Sequence, residues 1–305
     1  VDKQYETVEA SVELTNVLQA LVNGLLIGMV YALISVGLTL IFGLMEIVNF
    51  AHGDLLMLAM YAAFWASVLV HLDPVFSWPL VVVGLGLLGI VIFHLVIAPI
   101  LRAPMLAQIF ATFGLGLFLR GLAQFLWKAD FRTIDHPLLG QIAGGTLQLG
   151  SLFIGLPQLT AAVMAALAFG LLWLFINRTR VGLALQAVAE DRATAGLVGI
   201  DSRRMFALGW AIGGGCVGLA GAALASFYPV SPTVGVLFGL MSYFVVALGG
   251  FGSVPGALLA GLLVGLVQEL SPALLGVPPS YKYAVVFGLY LLVVLIRPQG
   301  LLGRF

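Results

Sequence analysis

The chain has 305 residues, of which 62% are hydrophobic and 9% charged. Soluble domains carry about 25% charged residues, so a water-facing particle is excluded, and 13 basic against 13 acidic side chains leave none of the basic excess that nucleic acid needs. A single cysteine, Cys216, excludes an internal disulfide framework and any cysteine-based metal cluster.

About 20 apolar residues in helical form cross a bilayer core. In chain order the predicted spans are Val17–Gly43, Leu55–Val70, Trp78–Leu101, Ala103–Leu126, Leu152–Ile176, Met205–Tyr228, Val234–Gly250, Val254–Leu270 and Tyr283–Ile296. Several are short or interrupted by glycine and proline. The expectation is therefore an all-α, polytopic membrane helical bundle of eight or nine spans, one or two of them broken or re-entrant, forming a single domain over 1–305. No segment shows the alternating polarity of a transmembrane barrel.

Orientation is read from lysine and arginine. Asn177–Arg204 holds Arg178, Arg180, Arg192, Arg203 and Arg204 and is assigned to the cytoplasm. Arg102 and the tail 297–305, with Arg297 and Arg304, fall on the same side. The acidic stretch Val1–Leu14 falls outside, as does Trp127–Ser151. Val1–Leu14 is too polar for a signal-peptide core, so the first span is expected to serve as the insertion signal. Most of the 38 glycines are read as close helix contacts in lipid, where small residues let backbones approach; the other reading is hinges.

Two stretches interrupt the apolar runs. The first, Glu46 to Asp54, places Asn49, His52, Gly53 and Asp54 between the first and second spans. One reading is a cytoplasmic turn with Asp54 capping the next helix. The other is unwound chain at membrane depth lining a polar path. The second stretch, Gly249 to Gly256, includes Gly250, Gly252, Ser253 and Pro255, which frustrate helix continuation. Setting Gly37–Phe64 against Gly239–Leu266 aligns the two breaks, as an internal repeat would. Both are candidate pathway or gate segments, expected to approach one another.

The remaining polar residues in the spans are scattered: Asn23, Ser35, Thr39, His94, Gln108, Thr112, Arg120, Gln268 and Glu269. Interhelical hydrogen bonds and snorkelling explain them first, and Arg120 and His94 sit where snorkelling is expected. Glu269, close to Ser271 and Pro272, is the one with an additional pathway reading.

Arg180 to Ile200 is rich in alanine and long enough for one or two short helices outside the membrane. Gly196 and Gly199 are natural terminators. Such a segment either lies at the interface, holding two spans apart, or docks into a groove on a soluble partner. Ala189-Glu190-Asp191, followed by Ala195 and Gly199-Ile200, resembles the coupling loop of ABC importer permeases, in the form used by branched-chain amino acid permeases of the LivH type. Asn49-Phe50-Ala51-His52-Gly53-Asp54, the tail Arg297-Pro298-Gln299-Gly300-Leu301-Leu302-Gly303, Tyr31-Ala32-Leu33, Gly37 and Gly43 agree with it. The segment lacks the terminal Leu-Pro of the wider importer consensus.

The resemblance implies a permease subunit of a bacterial inner-membrane importer. It implies a LivM-type second permease subunit, two cytoplasmic ATPases that bind the ATP, and an external substrate-binding protein. Arg180, Gly182, Ala189, Glu190, Asp191, Ala195, Gly199 and Ile200 would form the coupling site. The chain contains no Gly-x-x-x-x-Gly-Lys-Ser/Thr loop, so ATP is expected to be bound by partner subunits, and no cofactor, catalytic or metal site is expected in this chain. Substrates implied are branched-chain amino acids, with urea, short amides or aromatic acids as alternatives in the family. A channel or ion-coupled carrier using Glu46, Asp54 or Glu269 is the alternative from a different class.

Overall fold

The computed structural model describes residues 2–134 and 145–303, with side chains from residue 13 onward; Arg304 lies outside the described residues. Among the described residues eleven α-helices follow one another: α1 (Asp2–Met45), α2 (His52–Val70), α3 (Pro74–Ile92, continued to Ile100), α4 (Met105–Trp127), α5 (Leu156–Arg178), α6 (Arg180–Glu190), α7 (Arg192–Leu197), α8 (Ser202–Leu224), α9 (Val234–Gly249), α10 (Val254–Leu275) and α11 (Lys282–Ile296). Eight stretches among the described residues are long and apolar enough to cross a membrane, and α9 is a shorter apolar helix. Each of the nine apolar segments read from the sequence thus contains a helix, eight of them long enough to cross and the short one α9.

Helices α1, α2 and α8 are mostly buried, whereas α4, α5 and α11 turn most of their surface outward. Apolar side chains such as Phe110, Phe118, Leu171 and Leu295 cover those outer faces, as lipid or a neighbouring subunit requires. Small residues set the central packing. Gly24 and Gly28 of α1 lie against Gly265 and Gly261 of α10, with an imagined Cβ on Gly24 only 2.9 Å from the Gly265 carbonyl oxygen. Further along α1, Gly37 meets Gly213 of α8 in the same way. Two helices therefore run antiparallel to α1 with backbones nearly touching.

Two local features depart from the expected pattern. Helix α3 contains a π turn at Phe93–Ile97, where the Ala98 N–H reaches the Phe93 carbonyl. Pro99 follows at once; its missing N–H and its ring disturb the preceding turn, and a wider turn absorbs the misfit. Leu152–Gly155, expected to open a span, is instead strand β2, paired antiparallel with β1 (Thr146–Leu149). Gly150, at φ +65°, makes the tight turn between them, and α5 starts only at Leu156, with Pro157 in its first turn.

The contacts define two ends of the bundle. At one end Arg192 touches the last turn of α1, and His94 of α3 borders a cavity with Arg203 and Arg204. The tail is held there too, since the Leu301 and Leu302 N–H groups donate to the last carbonyls of α9 at 2.7 and 3.0 Å. The opposite end carries the β hairpin, where Gln19 exchanges hydrogen bonds with Phe153. Arginine is concentrated at the first end, as the sequence reading expects.

Candidate functional site

Helix α1 ends at Met45, and Glu46 adopts a left-handed conformation (φ 57°) while its N–H still bonds the Phe42 carbonyl at 2.7 Å. The chain then folds back into the bundle. The His52 Nε2 lies 2.8 Å from the carbonyl oxygen of Ile34, 11 residues before Met45 and so about 16 Å up the helix. A carbonyl only accepts, so Nε2 carries the proton. Asn49, His52 and Asp54 are buried. Residues 46–51 are thus non-helical chain folded back into the bundle, with these three polar side chains away from solvent.

Irregular backbone at that depth needs partners for its polar groups. Two neighbouring helices supply them: Thr112 of α4 donates to the Val48 carbonyl at 3.0 Å, and the Tyr243 hydroxyl of α9 donates to the Asn49 carbonyl at 2.7 Å. Asn49 also accepts from the Ala51 N–H at 3.1 Å. The Asn49 side-chain nitrogen and His52 Nδ1 are buried without a partner among the described residues.

Asp54 does not cap α2, whose N-cap is Ala51 without a side-chain bond. Its carboxylate is instead held by Arg120 of α4, with Nε at 3.0 Å from Oδ1 and Nη2 at 3.2 Å from Oδ2. Arg120 therefore turns inward to a buried carboxylate, contrary to the snorkelling expected from the sequence. Burying a carboxylate is tolerable only with such a fork of charge-assisted bonds. Gly116, one turn before Arg120, leaves room for the carboxylate, since a Cβ there would lie 2.6 Å from Asp54 Oδ2.

Gly53 is packed against Gly235 and Gly239 of α9, whose backbone a Cβ would overlap. The second break lies elsewhere. Gly250 (φ 99°) and Gly252 (φ 78°) adopt conformations that favour glycine. The Ser253 hydroxyl caps α10 by accepting the Gly256 N–H, and Pro255 sits in the first turn. Gly252 packs on Gly43, Phe251 on Phe42, and Gly250 on the tail at Gly303. No hydrogen bond joins the two breaks among the described residues; α9 runs between them, touching the first with Gly235 and Tyr243 and the second at its C-terminal end.

The coupling candidates divide by burial. Gly182 is buried together with Leu185 and Val188 on the inner face of α6, and Ala195 is buried in α7. Gly182 takes part because a Cβ would strike the last turn of α5 at Ile176. Gly199 (φ 83°) makes the turn after α7, and the Ile200 N–H returns to the Ala195 carbonyl at 3.0 Å. Arg180, Ala189, Glu190 and Asp191 are exposed. Asp191 is the N-cap of α7, accepting from the N–H groups of Ala193 and Thr194 and from the Thr194 hydroxyl. Those bonds hold its carboxyl below the usual carboxylate range, the Thr194 hydroxyl contributing most.

Sequence reading did not single out Arg192 as a bridge. Its Nη2 donates to the Leu44 carbonyl at 3.1 Å, and its guanidinium lies 4.7 Å from the Phe206 ring centre. One side chain thus ties α7 to the end of α1, two residues before the first break begins at Glu46. Gly235, Gly239 and Tyr243 have no site reading in the sequence; only the fold brings them to Asn49 and Gly53.

Comparison with known proteins places the chain in a family. A family model described as the branched-chain amino acid transport system / permease component matches residues 20–295. The high-affinity branched-chain amino acid transport system permease protein BraD of Pseudomonas aeruginosa is 34% identical over 301 residues, covering 96% of this chain and 97% of that protein. The permease protein LivH of Escherichia coli K12 is 33% identical over 298 residues, covering 94% and 96%. A probable LivH of Methanocaldococcus jannaschii is 26% identical over 298 residues, covering 89% and 88%. With a helical bundle, an exposed two-helix segment at the arginine-rich end and similarity along nearly its whole length, the chain belongs to the branched-chain amino acid transport permease family.

Proposed function

We propose that this chain is the membrane subunit of an ATP-driven importer for branched-chain or closely related hydrophobic amino acids. Its partners would be a LivM-type permease, two cytoplasmic ATPases that hold the ATP, and an external binding protein that delivers the substrate. The arginine-rich end faces the cytoplasm of a bacterial inner membrane in this reading, and the hairpin end faces outward. The carrying observation is the near-full-length similarity to permeases of such systems.

The mechanism follows from what α6 and α7 touch. Arg180, Ala189, Glu190 and Asp191 offer an exposed edge to an ATPase, while Leu185, Val188 and Ala195 anchor the same segment to the bundle. When the ATPases close, displacement of α7 pulls on the Leu44 carbonyl through Arg192. The end of α1 and the unwound Glu46–Ala51 stretch then move against α4 and α9. Asn49, His52, Gly53 and Asp54 act in this reading as the gate, with Gly250, Gly252, Ser253 and Pro255 as the pivot at the other end of α9. Neutral backbone and amide groups at the gate give a zwitterion transient partners without trapping it.

The test is uptake of labelled leucine into proteoliposomes holding the complete complex, with the Glu190→Arg variant beside the wild type. ATP-dependent leucine uptake by the wild type, reduced at least tenfold in the variant with assembly intact, is the expected outcome. Uptake of urea or an aromatic acid in place of leucine would move the substrate within the family. Uptake without ATP would return the chain to the carrier class.

A further inference from the structure

At the hairpin end, a cavity of about 440 Å³ opens between α1, α10, the start of α11 and the β hairpin. Its walls combine Leu26, Ile27, Val30 and Phe238 with a chain of polar groups. The Tyr31 hydroxyl donates to Gln268 Oε1 at 2.8 Å, Gln268 Nε2 donates to Glu269 Oε1 at 2.9 Å, and Lys282 Nζ lies 3.1 Å from the same oxygen. Tyr31 and Gln268 are buried and fix the carboxylate from behind, while Glu269 and Lys282 keep a quarter of their side-chain surface accessible. None of these groups belongs to the breaks or to the coupling segment.

The pair is only partly used. Both contacts to Glu269 fall on Oε1, leaving Oε2 without a partner among the described residues. Lys282 has three N–H donors and spends one on Glu269. A ligand carrying an ammonium and a carboxylate on one carbon therefore meets an open carboxylate oxygen and open ammonium protons side by side. The aliphatic wall beside them receives an apolar side chain. The volume falls within the range of about 300–1,000 Å³ usual for small-molecule sites, with room for one leucine-sized molecule.

We infer that this cavity is a reception site for a zwitterionic α-amino acid with an aliphatic side chain, occupied within this single chain before the substrate reaches the break at Asn49–Asp54. The inference rests on the importer reading above and adds a location and a recognition chemistry to it. Glu269 takes the substrate ammonium and Lys282 its carboxylate. Accessible charges bind weakly enough to hand the molecule on.

The rival is that Glu269 and Lys282 merely strap α10 to α11. The exchange Glu269→Lys with Lys282→Glu separates the two, because it keeps an ion pair but inverts the polarity that the ligand meets. In proteoliposomes holding the complete complex and its external binding protein, leucine uptake by the exchange variant should fall at least tenfold. Gel-filtration size and ATP hydrolysis without substrate should stay at wild-type values. Ile27→Trp, which fills the apolar wall, should lower uptake similarly. Wild-type uptake in the exchange variant overturns the site and leaves the pair a strap. If the exchange variant fails to assemble, Ile27→Trp decides, and wild-type uptake there also overturns the site. Absence of any aliphatic amino acid uptake by the wild-type complex defeats the importer reading and this site with it, an outcome distinct from the other two.

Discussion

A Cβ on Gly53 would overlap the carbonyl oxygen of Gly235 and lie 2.9 Å from the Gly239 Cα. Backbone cannot swing aside as a flexible side chain does, so even Gly53→Ala should separate α2 from α9. Expected are a fall in the thermal midpoint of the detergent-solubilised subunit and a loss of uptake, although hydrophobicity hardly changes. Gly114, which has open space around it, supplies the control: Gly114→Ala should leave both readings near wild type. The sequence marked Gly53 as a place of close approach. Its partners lie about 180 residues away, and nothing in the sequence ties them to it.

Asp54 and Arg120 show the same limit. The carboxylate was legible as a polar residue beside a break, yet its partner was not, because 66 residues separate them. Removing one partner from a buried pair costs about 3–5 kcal/mol, whereas removing both costs much less. Arg120→Gln should therefore destabilise the subunit more than the double variant Asp54→Asn with Arg120→Gln. Unfolding of all four proteins in detergent gives the coupling directly, and additive effects would show that the pair is not held in isolation from water.

At the scale of elements, α6 and α7 carry two roles that a sequence motif merges. Asp191 shapes the segment by capping α7, while Glu190 beside it has no such duty. Reversing both charges would confuse a lost cap with lost docking. Asp191→Asn keeps a capping side chain and removes only the charge, whereas Asp191→Ala removes both. If docking uses the Asp191 charge, both variants should lose ATP-driven uptake; if the cap alone matters, Asn should retain it. The depressed Asp191 carboxyl adds a pH dependence. Its contribution to the folded segment is present above the ordinary carboxylate range and is lost as pH falls through its lowered folded value. Protection of the Ala193 and Thr194 amides from hydrogen exchange should accordingly drop only in strongly acidic solution, once intrinsic exchange rates are allowed for.

The two breaks also part company as elements. Each separates one helix from the next, as the alignment of Gly37–Phe64 with Gly239–Leu266 anticipates. After the first, the chain climbs back to the level of Ile34. After the second, it stays near Gly43, pinned by the tail. Glycine and proline content marks an interruption in a helix, but where the freed backbone goes depends on which neighbours offer donors. Thr112 and Tyr243 do so for the first break, and Leu301 and Leu302 do so for the second.

For the whole molecule, arginine asymmetry and the two ends of the bundle give a topology that labelling can check. Leu197→Cys, on the exposed surface of α7, should react with an impermeant maleimide only in inverted vesicles, and Leu149→Cys in the hairpin only in intact spheroplasts. Both belong in a Cys216→Ala background to remove the native thiol. Labelling in the opposite pattern would invert the orientation and detach the coupling role from α6 and α7.

Sequence by itself determined the solvent of this protein, its helical class, its apolar segments and the exposed arginine-rich island, because each follows from local composition and run length. It also carried the motifs by which the family is recognised. Tertiary structure decided which polar residues meet: Asp54 with Arg120, Asn49 with Tyr243, Arg192 with Leu44, and Glu269 with Lys282 beside a cavity. Helix packing through glycine is nearly indifferent to the order of elements along the chain. A pairing between helices far apart in sequence is therefore fixed only when the whole bundle closes, and no window of the sequence contains it.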